Sequence, residues 1–245
     1  MWRCHTRFAD RPASPDLLGF RRLALTGALL ALGTGGCGSD EPASTSTSGV
    51  EVVALGDSIT SGSPAYDPDP EARATLGFGE DPRSQYEYWA EEADPRLDFR
   101  NCGVFGERTD EIALRLDACI EGEPDILIVQ GGINDIAQGR PVADAADDLR
   151  SMIERGKNAG TEVAIADVLP WNNGHPAADE PIAELNRMIV TIAREEKVPL
   201  IGFHDELEDP ATPGLMAAGL TDDGDHPSVK GYRLLGELVA DELEP

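Results

Sequence analysis

Two stretches of the chain carry residue types that together can break an acyl bond. "VVALGDSITSGSPAY" (Val52–Tyr66) is a β-branched run that stops at Gly56, with Asp57 and Ser58 directly after it. A serine hydroxyl at the tip of a strand is a weak nucleophile until a base takes its proton. "DDGDHPSVKGY" (Asp222–Tyr232) offers such a base. Asp223 and His226 stand three positions apart, a spacing at which a tight turn lays the carboxylate against imidazole Nδ1. Pro227 restricts His226 to extended backbone and so helps to fix the ring's direction. A carboxylate on one ring nitrogen sets the tautomer and leaves the other nitrogen to accept a proton. Asp222 and Asp225 flank the pair and are alternative partners for His226; the three-residue spacing favours Asp223.

Acyl transfer puts negative charge on an oxygen, so hydrogen-bond donors must aim at it, each worth about a hundred- to a thousandfold in rate. Two further loops offer donors. "GGIND" places Asn134, with its amide N–H2, just past an apolar strand. "NCGVFGERT" (Asn101–Thr109) places Gly106 at the expected opening of a helix, where a backbone N–H lacks a partner and the dipole favours an anion. Gly103 competes with Gly106 for that role, and the N–H of Ser58 itself is a third donor. Asp57 and Asp135 read as structural braces for the Ser58 and Asn134 loops. Trp171 and Asn172, in "LPWNNG" after a strand end, read either as substrate-binding pocket residues or as a turn with a packed indole. His175 and His204 lack metal-ligand spacing, so no metal site is expected. Cys102 reads as a small buried apolar residue rather than a thiol nucleophile.

These loops need a frame that brings them to one place. Short apolar runs at Val50–Gly56, Arg96–Gly103, Asp125–Gly132, Thr161–Pro170 and Val198–Phe203 read as five strands. Helices are expected at Ser84–Ala93 (with Ser84 as N-cap), Thr109–Ile120, Val142–Ala159, Ile182–Glu196 and Pro227–Leu243. Strand–helix alternation implies a three-layer α/β/α sandwich around a central, mostly parallel five-stranded sheet, flavodoxin-like in kind. Ligands of such sheets bind beyond the carboxyl ends of the strands, where the Gly56–Ser58, Gly103–Thr109 and Gly131–Asp135 stretches fall.

Taken in order, "GDSIT", "NCGVFGERT", "GIND" and "DGDHP" resemble the four blocks of the SGNH hydrolases, also called GDSL-type esterases and lipases. The resemblance spans about residues 50 to 240. It implies Ser58 as nucleophile, Asp223 and His226 as its acid and base, and Ser58, Gly106 and Asn134 as the oxyanion hole. It also implies carboxylic-ester hydrolysis through an acyl-enzyme, on a small ester substrate and without metal or organic cofactor. Short-chain acyl or acetyl groups are the favoured substrates. A glycan or cell-wall O-acetylesterase, and a lysophospholipase or thioesterase, share the chemistry. A surface binding module that keeps the fold without turnover is the alternative of another class.

The 245 residues suffice for one domain, and a net charge of −26 disfavours nucleic acid and anionic membrane surfaces as partners. The beginning reads differently. Five arginines precede or open the apolar run "LALTGALLALGTGG" (Leu23–Gly36), too short to span a bilayer comfortably and ending at Cys37. Residues 1–36 read as a lipoprotein-type signal peptide with Cys37 as the lipidated residue, 37–49 as a polar linker, and 50–245 as the hydrolase domain. The enzyme is thus expected at the bacterial cell envelope, lipid-anchored or else periplasmic or secreted. Cys102 and Cys119 are expected either as a disulfide or as two free thiols; a straight ten-residue helix would hold them roughly 15 Å apart. The Pro- and Gly-rich stretch 61–83 reads as a lid or an insertion. Phe78, Tyr86 and Trp89 beside it are candidate acyl-chain contacts, with Tyr86 and Trp89, on a helix, reading equally well as core residues.

Overall fold

The computed structural model describes residues 49–63 and 81–243. The expected signal peptide, Cys37, the expected linker apart from Gly49, Phe78 and most of the stretch expected to form a lid or an insertion lie outside the described residues. The chain divides into residues 1–44 with Pro245, and a compact unit 45–244.

Five strands form one sheet: β1 (Val50–Gly56), β2 (Leu97–Gly103), β3 (Ile126–Val129), β4 (Glu162–Ala166) and β5 (Leu200–Ile201). They run in the order β2-β1-β3-β4-β5, and every pairing is parallel. The helices are α1 (Ser58–Ser61), α2 (Tyr86–Ala93), α3 (Thr109–Cys119), α4 (Ile133–Ala137), α5 (Val142–Asn158), α6 (Asp179–Glu196), α7 (Phe203–Leu207) and α8 (Val229–Glu242).

Alternation along each strand sorts the core into two layers. Val53, Leu55, Leu127, Val129, Val163 and Ile165 face Ile112 and Leu116 of α3, Leu149 and Met152 of α5, and Leu185 and Ile189 of α6. Val52, Ala54, Ile128, Ala164 and Ala166 face Tyr86 of α2, Phe203 of α7 and Tyr232 and Leu235 of α8. The second face is rich in alanine where the aromatic rings press on it. Large side chains thus meet small ones across this layer. Tyr86 and Phe203 meet there edge to face, their centroids 5.4 Å apart.

Order 2-1-3-4-5 means the chain crosses to one side after β1 and to the other after β2. The crevice between the loops leaving β1 and β3 is therefore the topological switch point, where open parallel sheets bind ligands. The register puts Gly56 opposite Gly103 and Leu55 opposite Val129, so three loops leave the sheet at one rim.

Two local expectations are corrected, and one open alternative is decided. Ser84 does not cap α2. It closes a 3₁₀ turn (Pro82–Ser84), its hydroxyl donating to Gly62 O (3.0 Å) and Asp81 O (2.9 Å). The last helix begins at Val229 rather than Pro227, with the Ser228 hydroxyl accepting from the Gly231 N–H (3.2 Å). Cys102 and Cys119 form a disulfide, their Cα atoms 6.2 Å apart. The 15 Å of helix separates Cys119 from Thr109, not from Cys102. The loop at Val104–Arg108 carries the chain outward, and α3 brings its last turn back beside the end of β2.

Candidate active site

The chain leaves β1 at Gly56 and turns at once into α1. The Asp57 carboxylate caps this single turn by accepting from the Ile59 N–H (2.9 Å). Ser58 is its first residue, so the Ser58 N–H belongs to the open first turn of a helix. Gln130, at the end of β3, grips both flanks of the serine: its Oε1 accepts from the Asp57 N–H (3.2 Å) and the Thr60 hydroxyl (2.9 Å). The sequence signal for Gln130 was a polar residue closing an otherwise apolar strand.

Asp57 is fully buried, and its Oδ2 has no hydrogen-bond partner. Burial pushes its carboxyl up to about 6, against the opposing Ile59 N–H. The native state thus keeps a proton that an unfolded chain, with the ordinary value of 3.8, releases. Stability from this group is lost as pH rises from about 4 to 6. Asp57→Asn, which can keep the cap, is expected to remove that slope. Urea titrations at pH 4 and 7 should show wild type losing on the order of 3 kcal/mol relative to the variant. Parallel curves would contradict it.

The loop after β2 is held from three sides. Asn101 Oδ1 accepts from the Gly103 N–H (2.8 Å), while its Nδ2 donates to Thr60 O and to Glu87 Oε1 (2.9 Å). Gly103 is thereby excluded as the free donor. A Cβ there would strike the backbone N of Ser61, so its glycine serves close packing of β2 against α1. Arg115, which sequence reasoning missed, donates to Cys102 O (2.8 Å), Gly56 O (3.1 Å) and Glu107 Oε2 (2.6 Å). Gly106 has φ +80°, with open space where a Cβ would be. It sits in a turn before Arg108 rather than at the first helical residue. Asn134 Nδ2 donates to Glu107 O (2.9 Å), using one of its two N–H bonds and joining the two loops. Asp135 is fully buried and accepts from the Thr109 N–H (2.9 Å), the Thr109 hydroxyl (2.9 Å) and Arg140 (2.6 Å). It braces its loop.

Across the rim, His226 Nε2 lies 3.1 Å from Ser58 Oγ, and His226 Nδ1 lies 2.8 Å from Asp223 Oδ2. Asp223 Oδ1 accepts from the backbone N–H groups of Asp225 (2.9 Å) and His226 (2.8 Å). Burial would raise the Asp223 carboxyl, but the His226 ring and those two N–H groups outweigh it and hold it at about 2. Asp225 is committed elsewhere. Its Oδ1 accepts from Trp171 Nε1 and from Asn173 Nδ2 (2.9 Å). Asn173, another residue missed, also donates to Asp223 O (2.9 Å). The Asn172 side-chain oxygen Oδ1 accepts from the Met216 N–H (2.7 Å). The Trp171 indole N–H and the Asn172 side-chain oxygen thus brace neighbouring loops, as the turn reading of this stretch expects. His175 pairs with Asp179, and His204 lies near Asp205. Tyr86 is buried in the core, and the half-buried Trp89 donates its indole N–H to Arg83 O (2.8 Å).

A parallel α/β sheet with a serine, imidazole and carboxylate linked in series at its carboxyl rim has the machinery of a hydrolase acting on ester bonds. The profile of the GDSL-like Lipase/Acylhydrolase family matches residues 54–234, and the chain belongs to that family. It is similar to Esterase TesA of Pseudomonas aeruginosa, 29% identical over 157 residues, covering 62% of this chain and 74% of that protein. Among solved structures, a lipolytic protein of the G-D-S-L family from Desulfitobacterium hafniense DCB-2 aligns with a TM-score of 0.67 at 21% identity, over 79% of this chain and 99% of that one. A mutant of Axe2, an acetyl-xylooligosaccharide esterase from Geobacillus, aligns with a TM-score of 0.62 at 20% identity, over 80% and 94% respectively.

Proposed function

We propose that the protein is an exported serine esterase that cleaves short-acyl carboxylic esters, acetyl esters foremost, through an acyl-enzyme. Ser58 Oγ attacks the ester carbonyl as His226 Nε2 takes its proton. Asp223 holds the imidazole tautomer and balances the imidazolium. The N–H groups of Ser58 and Gly106 and the second N–H of Asn134 receive the oxyanion. His226 then gives the proton to the leaving alcohol, and water cleaves the acyl-enzyme by the same steps. The observation that carries this reading is the unbroken chain Ser58 Oγ–His226–Asp223, at 3.1 and 2.8 Å. The acetyl-xylooligosaccharide esterase among the structural neighbours supports acetyl as the acyl group. The basic start, the apolar run and Cys37 support export and a lipid anchor.

A fluorophosphonate probe tests the reading. Covalent labelling of the folded protein, absent in Ser58→Ala, is the expected result. A folded wild-type chain that resists labelling would make this a binding module instead. On p-nitrophenyl esters of increasing chain length, rates should fall steeply beyond butyrate. Asn134→Ala should lower kcat by roughly a hundredfold, and a loss confined to KM would remove Asn134 from the oxyanion hole.

A further inference from the structure

Phe105 stands beside the reacting groups in a way the serine mechanism alone does not use. Phe105 is 51% exposed, and Val104 before it is 40% exposed. Singly exposed apolar side chains are ordinary on protein surfaces. Here, however, the exposed ring precedes Gly106 directly and lies against the base, its centroid 6.1 Å from that of the His226 imidazole with the planes 35° apart. That separation is within the range of aromatic contact.

We infer that Phe105 is the platform for the alcohol half of the ester, so that this enzyme selects its substrates on the leaving-group side. The inference rests on the Ser58–His226 reading above. In acylation the Ser58 Oγ–carbonyl carbon bond forms and the bond from that carbon to the alcohol oxygen breaks. The proton His226 Nε2 took from Ser58 passes to that oxygen. The leaving oxygen must therefore come within hydrogen-bond reach of Nε2. Its carbon substituent then lies alongside the imidazole, where the Phe105 ring presents an apolar face. The oxyanion donor is the next residue, so one short piece of chain orients both the carbonyl and the alcohol. The ligand class this fits is an ester of an alcohol with a flat apolar face.

The test keeps the acyl group constant and varies the alcohol. Benzyl and ethyl acetate give the same acetyl-enzyme from alcohols of similar acidity. In Phe105→Ala the ratio of kcat/KM for benzyl over ethyl acetate should fall by about three- to tenfold. Phe105→Tyr, which keeps the ring, should hold the ratio. The preference for acetate over butyrate on a common alcohol should stay at its wild-type value, because the acyl chain points away from the platform. An unchanged benzyl-to-ethyl ratio overturns the inference, and so does a shift in acyl-chain preference in its place. Ser58→Ala run in parallel separates the two readings. An inactive Ser58→Ala with an unchanged Phe105→Ala ratio overturns the platform alone. Hydrolysis by Ser58→Ala overturns the serine mechanism and the platform with it.

Discussion

Ser58→Ala is expected to abolish ester turnover, lowering kcat by roughly a millionfold, while the fold persists. His226→Ala should cost about as much, and the double variant scarcely more than either single one. Groups that act as one unit cannot be lost twice. Ser58 Oγ and His226 Nε2 are 3.1 Å apart, so each is useless to the chemistry without the other. Ser58 is 5% exposed and carries a small side chain, so losing its hydroxyl leaves little for the core to refill. The measurement is kcat on p-nitrophenyl acetate for the four chains, with circular dichroism to verify folding. Losses that multiply in the double variant would mean that the two residues act in separate steps.

Asp223→Asn should lower kcat by about ten-thousandfold with the fold intact. The amide oxygen can still accept from the N–H groups of Asp225 and His226, which preserves the turn. The amide N–H2 would then face imidazole Nδ1 and force the proton onto Nε2, the nitrogen that must accept from Ser58. Asp223 is held at about 2, below its ordinary 3.8. Its stabilising contribution is complete above about pH 4 and is lost as pH falls towards 2. Activity lost on acidification between pH 6 and 4 therefore cannot come from protonation of Asp223. Asp225→Asn serves as the contrast. Its carboxylate meets Trp171 and Asn173 rather than His226, so its loss should cost far less. Equal losses at the two positions would overturn the assignment of Asp223.

The frame was legible where a long apolar run met a clear stop. Val50–Gly56 ends on glycine in sequence and in structure alike. The pair Asp223 and His226 was legible because both partners sit in one turn. What escaped was short or assembled over distance. The helices α1, α4 and α7 have four or five residues each, too few to show a period. Arg115, Gln130 and Asn173 each act on partners 50 to 73 positions away in chain order, with Arg115 also reaching the nearer Cys102 and Glu107, and no local pattern marks them. The disulfide stays open in the sequence because the length of the helix argues against it while the loop before that helix decides where the helix starts.

The nucleophile and its base are 168 positions apart in the chain. Closing that gap depends on the C-terminal helix α8, whose Tyr232 hydroxyl donates to Ser63 O (3.0 Å) just beyond α1. A chain truncated before Asp223 would hold every strand of the sheet yet have no proton acceptor for its serine, and one truncated before α8 would keep His226 but lose the Tyr232 tie to the Ser58 loop. Hydrolytic power therefore depends on residues beyond the last strand, and a partly unfolded copy in which the His226 turn has come away from the sheet cannot attack an ester.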